Sequence, residues 1–335
     1  MSSVSVRDVA ALAGVSVGTV SNVLNRPEKV AGATVERVQI AIEKLGFVRN
    51  DAARQLRAGR SRAIGLVILD VRNPFFTDVA RGAEDTAAAA GFSIILGNSD
   101  EKQDREQTYL ELFEEQRVHG VLISPFGDIA ARLRRLRERG IASVLVDRRS
   151  SDASFSSVSV DDVAGGGMAA EHLLSLGRRR IAFVGGPSQI RQVADRRDGA
   201  MATVARHEHA TLEVVDVAAL SAEEGRVAGV AIAGRPVSQR PDAIFAANDL
   251  LATGLLQALI GGGVRVPEDI ALIGYDDIGF AGAAVVPLSS IRQPSVRIGE
   301  TAVEILLDEA ENPGIEARHV VFDPELVVRA STVGG

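Results

Sequence analysis

Two groups of residues in this 335-residue chain have the types and spacing to do chemistry. The first is the run Ser16-Val17-Gly18-Thr19-Val20-Ser21-Asn22. Val20 and Val23 repeat at helical spacing and face inward, which leaves Val17, Gly18, Ser21 and Asn22 outside. Hydroxyls and an amide on such a face can read base edges, and a Val suits a thymine methyl. The second group is scattered. Asp70-Val71-Arg72-Asn73-Pro74-Phe75-Phe76, Asp147-Arg148, Asn248-Asp249 and Tyr275-Asp276-Asp277 each follow a short apolar run, and Gln293 follows Ser290–Arg292. Arg196 sits in a helical stretch after the Gly185-Gly186-Pro187 turn. Carboxylates and amides exchange hydrogen bonds with vicinal hydroxyls, an Arg fork holds two oxygens at once, and Phe rings cover the apolar face of a sugar ring. Singly, each is ordinarily a loop residue, and Asp249 or Asp277 reads as a helix cap. Their joint place at strand ends is what makes them a candidate site.

Other constellations are weaker. Gly165-Gly166-Gly167 could cradle a phosphate, but it lacks a Walker Lys-Ser/Thr and dinucleotide-fingerprint spacing, so it reads as helix packing against the sheet. His207-Glu208-His209 reads as a solvated loop rather than a metal site. The charge-rich Arg132–Arg139 stretch reads as a solvated helix face. No Ser-His-Asp or Cys-His arrangement has supporting context, which opposes an enzyme.

The elements that must position these residues follow from periodicity. Ser5 with Asp8 resembles a capping box, and Val6, Val9, Ala10 and Ala13 make one apolar face. Gly14 breaks that helix, Ser16 caps a second, and Arg26-Pro27-Glu28 ends it. A third helix runs from Thr34 to Leu45 behind a weak Ala31-Gly32-Ala33 start and stops at Gly46. This is a helix-turn-helix; on the pattern alone a generic αα-hairpin remains the alternative. Asn50 to Ala58 is a short polar helix candidate with one large apolar residue, Leu56, and too little apolar face to be stable alone. From Ala63 the pattern becomes strand–helix alternation, in two rounds of similar length. The first includes strands at 63–69, 93–96, 121–124 and 143–146; the second includes strands at 181–184, 212–217, 243–246 and 270–274. Such alternation implies parallel sheets with helices on both faces, and two rounds imply two subdomains with a cleft between them.

Asp8-Val9-Ala10, Ala13-Gly14-Val15-Ser16, Thr19-Val20-Ser21 and Val23-Leu24-Asn25, continued by Gly46-Phe47, Asn50, Ala53 and Leu56, resemble the lactose/galactose repressor family, and the likeness runs along almost the whole chain. The resemblance implies an N-terminal all-α helix-turn-helix headpiece (1–49), a hinge helix and linker (50–61), and a periplasmic-binding-protein-like α/β core of two doubly wound parallel-sheet subdomains (62–335). It places crossovers near Asp161, Ser289 and Phe322, giving a first subdomain of about 62–160 and 290–322 and a second of about 161–289 and 323–335. It implies DNA contacts from Arg7, Ser16, Val17, Gly18, Thr19, Ser21, Asn22, Asn25 and Thr34. Asn50, Ala53, Leu56 and Arg57 join them from the hinge, with Leu56 as a minor-groove wedge. Position 18 is Gly, where many relatives carry a longer side chain. Asn73, Phe75, Phe76, Asp147, Arg148, Arg196, Asn248, Asp276 and Gln293 resemble positions of ribose-binding members of the larger group, and Ser124 completes the expected effector set. A frequent family aromatic near residue 218 is Ala218 or a neighbour here, which leaves one wall of the pocket open to question.

Composition fits this reading. Hydrophobic residues make up 46% and aromatics 4% with no Trp, so the cores must be aliphatic. There is no Cys, which excludes disulfides and suits a reducing cytoplasm. No signal-peptide pattern or membrane-length apolar run is present. The net charge of −7 hides an asymmetry: residues 1–60 hold nine Lys/Arg against five Asp/Glu, leaving −11 for the rest. DNA would then meet only the basic end. The chain therefore reads as a cytoplasmic, homodimeric repressor that needs no cofactor. It would recognise a pseudo-palindromic operator under control of a neutral monosaccharide, with a ribose-like pentose favoured. Alternatives are a sugar-binding protein without DNA function and the same regulator with a nucleoside or purine effector. No leucine-heptad tail precedes Gly335, which points to a dimer.

Overall fold

The structure, a computed structural model, describes residues 4–47, 61–150 and 152–334. Contacts divide the chain into two compact units, Met1–Arg60 and Ser61–Gly335.

In the first unit, α1 (Val6–Ala13) begins at Ser5, whose N–H and hydroxyl both donate to Asp8 Oδ2 at 2.8 and 2.7 Å. It ends at Gly14, where φ of +66° requires a residue without a Cβ penalty. α2 (Val17–Asn25) is capped by Ser16 Oγ, which accepts the Thr19 N–H at 3.1 Å. α3 (Gly32–Leu45) starts at Ala31 without a side-chain cap and stops at left-handed Gly46. The three helices close over Val9, Ala10, Ala13, Val20, Val23, Val38 and Ala41, with Leu24, Val35 and Ile42 at the rim.

The second unit holds two six-stranded sheets. Its central strands are continuous apolar runs, the pattern expected where helices cover both faces. The first sheet comprises β1 (Ala63–Ile68), β2 (Ser93–Asn98), β3 (Gly120–Ile123), β4 (Ala142–Val146), β5 (Ser157–Val160) and β11 (His319–Phe322). Their order is β11-β5-β4-β3-β1-β2, with every pairing parallel. The second comprises β6 (Arg180–Gly185), β7 (Thr211–Asp216), β8 (Ala243–Ala246), β9 (Ala271–Asp276), β10 (Ser289–Arg292) and β12 (Glu325–Val327). Their order is β12-β10-β9-β8-β6-β7. Here the β10–β12 pair is antiparallel, an edge that periodicity had not anticipated.

Helices α4 (Pro74–Ala89), α5 (Gln103–Glu115), α6 (Ala130–Glu138) and α12 (Ser295–Glu311) belong to the first sheet's side, and α7 (Asp162–Ser175), α8 (Arg191–Val204), α9 (Ala222–Ala233) and α10 (Asp249–Gly261) to the second's. Short helices α11 (Gly279–Ala283) and α13 (Ala330–Val333) complete the second unit. The chain crosses between sheets after β5, after β10 and after β11. Residues 290–292 pair with β9 in the second sheet, so that crossover lies at Gln293-Pro294 rather than near Ser289.

One expectation about packing is extended and one about a surface changes. Gly165, Gly166 and Gly167 lie inside α7, and a Cβ on Gly166 would collide with the Arg196 carbonyl of α8. Gly199 of α8 meets the Val163 carbonyl in the same way. Gly166 and Gly199 let two helix backbones touch, while Gly165 packs the helix on the sheet, where a Cβ would strike the Tyr275 side chain of β9. On α6, Arg132 is not solvated: it pairs with Glu114 at 2.8 Å, both side chains being only 9% exposed.

Candidate effector cleft and nucleic-acid interface

Between the two sheets, at the carboxyl ends of their strands, lies a narrow, part-open cleft. Asn73 caps α4, its Oδ1 accepting the Phe75 N–H at 3.0 Å, while its Nδ2 donates across the cleft to Asp276 Oδ2 at 2.9 Å. Phe75 and Phe76 follow on α4 and meet edge to face, 5.0 Å apart. Asp147, after β4, and Asp276, ending β9, hold φ of +57° and +101°. Such angles are costly for non-glycine residues and gather at functional sites. Asn248 caps α10 through the Leu251 N–H at 2.9 Å. Arg196 enters from α8: its Nε donates to Asp162 Oδ1 at 2.7 Å and its Nη1 to the Ala247 carbonyl at 2.8 Å. Its guanidinium carbon lies 3.7 Å from the centroid of the Tyr275 ring, and Nη1 is 3.8 Å from Asp276 Oδ1.

Asn73, Phe75, Phe76, Asp147, Arg196, Asn248 and Asp276 therefore all line one cleft. Gln293 stands behind it, its Nε2 donating to Asp276 Oδ1 at 2.8 Å. Two expected residues do not join the group. Arg148 turns away from Asp147; it donates to the Gly127 carbonyl and lines a neighbouring groove instead. Ser124, after β3, is fully buried but is not part of the lining. Neither Asp249 nor Asp277 is a cap. Asp249 accepts from Ser290 Oγ and the Ile278 N–H, and Asp277 pairs with Arg292 and Arg329. Sequence reasoning missed Gln192, whose Nε2 donates to Asp147 Oδ2 at 2.9 Å. It also missed Asp162 as the partner of Arg196, and Leu220, which forms an aliphatic wall. Gln192 lies one turn before Arg196 on the same helix, and that spacing was the available signal.

The electrostatics are unusual for a buried site. Burial raises the carboxyl of Asp147, reinforced by the charge of Asp162. Burial raises Asp162 to about 6 against the pull of Arg196; burial also raises Asp276, opposed by Arg196, Asn73 and Gln293. Burial opposes the charge of Arg196, but Asp162, Tyr275 and Asp276 outweigh it and hold the guanidinium protonated. Three acceptor oxygens in or beside the cleft, Asp147 Oδ1, Gln192 Oε1 and Gln293 Oε1, are buried without a hydrogen-bond partner. Each sits opposite an atom already fixed by its own bond, so each demands a donor from elsewhere.

In the first unit, Val17, Gly18 and Asn22 are exposed on α2, Ser21 and Thr19 half-buried. Ser16 and Thr19 hydroxyls bond one another at 2.9 Å, and Asn25 Nδ2 donates to the Ser21 carbonyl at 2.8 Å, so these three polar groups also organise the helix. Arg7 is exposed on α1, and Thr34 half-buried on α3. Asn50, Ala53, Leu56 and Arg57 lie outside the described residues.

Residues 5–50 match the family model for bacterial regulatory proteins of the lacI family, and residues 170–332 the periplasmic binding protein-like domain. The ribose operon repressor of Bacillus subtilis is 36% identical over 304 residues, covering 90% of each chain. The chain belongs to the lacI family. The repressor PurR of Photobacterium profundum is 32% identical over 97% of this repressor and 98% of its own length. Among solved structures, the lac repressor dimer bound to operator and an anti-inducer superposes with a TM-score of 0.83, at 26% identity over 99% of each chain. A LacI-family regulator from Enterococcus faecium with bound ribose gives 0.73, at 30% identity over 81% of this chain and 98% of its own. This lacI-family protein is thus a DNA-binding transcriptional repressor and not an enzyme. Among the described residues, no helix is long and apolar enough to cross a membrane.

Proposed function

We propose that a neutral, hydroxyl-rich ligand of monosaccharide size, ribose foremost, occupies the cleft and sets the affinity of this repressor for its operator. The observation that carries this reading is the set of unpaired buried acceptors, Asp147 Oδ1, Gln192 Oε1 and Gln293 Oε1. Sugar hydroxyls supply donors to them without adding charge. An anionic ligand would meet two carboxyl groups, Asp147 and Asp276, and an Arg already paired with Asp162, which opposes it. Phe75 and Phe76 cover an apolar ring face, and Leu220 stands where the family's aromatic was expected near 218. The ribose operon repressors among the relatives, and the relative with bound ribose, support the choice of pentose.

In this reading the headpiece (1–49) reads the operator as one half of a homodimer through Val17, Ser21 and Asn22, supported by Arg7, Ser16, Gly18, Thr19, Asn25 and Thr34. Asn50, Ala53, Leu56 and Arg57 form the hinge contact. A ligand that bridges both subdomains of the core (62–335) favours one closure of the cleft, and that closure changes the spacing of the two hinges. It can act only by its differential affinity for the two states.

A mobility-shift titration on palindromic DNA tests this. The wild type should change operator affinity with ribose and ignore purine bases and nucleosides. Asp276→Ala should bind operator near normally and lose the ribose response. An operator response to a purine base in place of any sugar contradicts the proposal.

A further inference from the structure

The cleft has a crossover side and an open side. All three crossovers leave from β5, β10 and β11, at or next to one edge of each sheet. The opposite edges, β2 and β7, carry none, so the loops that follow them form the open lips. One hydrogen bond spans those lips. The Leu220 N–H, after β7, donates to Oε1 of Glu101, after β2, at 3.4 Å. Glu101 is held in place on its own side, its N–H donating to the Leu69 carbonyl at 3.1 Å, with Asp100 and Glu101 both at φ of +54°. Leu220 is held from behind, its carbonyl accepting from Asn248 Nδ2 at 3.2 Å, while its side chain lines the cavity. One stretch of backbone in the pocket wall is therefore gripped from both subdomains. The second oxygen of Glu101, Oε2, is buried without a hydrogen-bond partner.

We propose that Glu101 is the latch of the cleft, a positioning residue that joins the open lips and fixes the Leu220 wall against a bound effector. The effect on an effector rests on the reading of the cleft given above; the lip contact does not. Burial raises the Glu101 carboxyl from 4.5 to about 7, against the Leu220 N–H that favours its charge. Asp70 and Asp100 push the same way as burial, and Arg72 opposes them. Arg72 is engaged by Asp70 and Asp100, at 2.9 and 3.0 Å, and Asp100 also takes Lys102 and Arg105. From α9, Glu224 accepts the Ala218 N–H at 3.2 Å. When the lips part, Glu101 returns to water and to the ordinary range of its type. Closing therefore takes up a proton. The latch is strongest below about pH 4.5 and weakens as pH rises through about 7. The neutral acid still accepts the Leu220 N–H through Oε1.

Two variants separate latch from mere structure. Glu101→Gln keeps an acceptor for Leu220 and removes the titration; Glu101→Ala removes both. Hydrogen exchange of residues 217–221 in the free repressor, corrected for intrinsic rates, reads the latch without any ligand. Exchange there should be about tenfold faster in Glu101→Ala and close to wild type in Glu101→Gln, with β9 unchanged in both. Calorimetry with ribose at pH 6 and pH 8 reads the coupling. From pH 8 to pH 6 the wild type should tighten about tenfold more than Glu101→Gln. Identical exchange in all three proteins, or parallel pH profiles of wild type and Glu101→Gln, overturns the latch. The expected exchange pattern without ribose binding supports the latch and counts against ribose as the effector.

Discussion

Arg196 faces Asp147, Asp162 and Asp276 in a space from which water is largely excluded. A buried cation of this kind is held by its partners, and its removal leaves their charges uncompensated. Arg196→Met should therefore lower stability by about 3–5 kcal/mol in urea unfolding at pH 7.5. Without the guanidinium, the carboxyls of Asp162 and Asp276 rise further above their present, already raised values. Protonation then relieves the repulsion, so the deficit should shrink as pH falls from 7.5 towards about 6, where Asp162 is protonated in the wild type as well. A variant within 1 kcal/mol of wild type at pH 7.5, or a deficit independent of pH, would show that the cluster does not work this way. At this scale the sequence was partly legible. Strand-end Asp and Asn residues and the Phe pair after β1 marked most of the cleft, because strand ends in open α/β sheets converge there. Asp147-Arg148 was read as one unit, yet consecutive residues leave a strand in opposite directions, and only Asp147 faces the cleft. Gln192 was overlooked because its one signal, the one-turn spacing to Arg196, says nothing of its partner Asp147 on another element.

α2 puts Val17, Gly18 and Asn22 on its exposed face, while Val20 and Val23 are buried. Gly18 offers no side chain to a base, so in the proposed reading discrimination rests on Asn22 with Val17 and Ser21. Asn22→Ala should cost about 1–3 kcal/mol of operator binding and relax sequence preference in a binding-site selection. Unchanged selectivity would move the readout to other residues. In the core, α7 and α8 touch through Gly166 and Gly199, and the Arg196 carbonyl is the atom a Cβ on Gly166 would strike. Gly166→Ala should thus spread two helices, cost about 1–3 kcal/mol and weaken effector binding together with stability. A thermal midpoint and effector affinity equal to wild type would contradict that close approach. The long elements were legible because their apolar periods are unambiguous over ten or more residues. β10, β11, β12 and α13 span three or four residues each and lack the wholly apolar character that marked the equally short β3 and β8; α11, at five residues, is too short for a helical period to declare itself. The antiparallel edge depends on a partner distant in sequence, Ser290 against Val327, which local pattern cannot reveal.

Across the whole molecule, a basic N-terminal segment and an acidic remainder separate the two tasks along the chain: nine Lys/Arg against five Asp/Glu in residues 1–60, with an overall charge of −7. That asymmetry favours DNA at one end and repels it from the body. The paired sheets were foreseeable from two rounds of strand–helix alternation. The ligand was expected from the family resemblance; the feature that argues for it, the surplus of buried acceptors, exists only when both subdomains face one another. The central claim is that those acceptors bind a neutral polyol. Calorimetric titration of the intact repressor and of Asp276→Ala with ribose, a hexose, a nucleoside and a purine base tests it most directly. The account predicts saturable binding of ribose to the wild type, lost in Asp276→Ala, whose removed carboxylate also leaves Asn73 and Gln293 without their acceptor. Tight binding of a purine base or an anionic ligand, with no response to pentose or hexose, would contradict it.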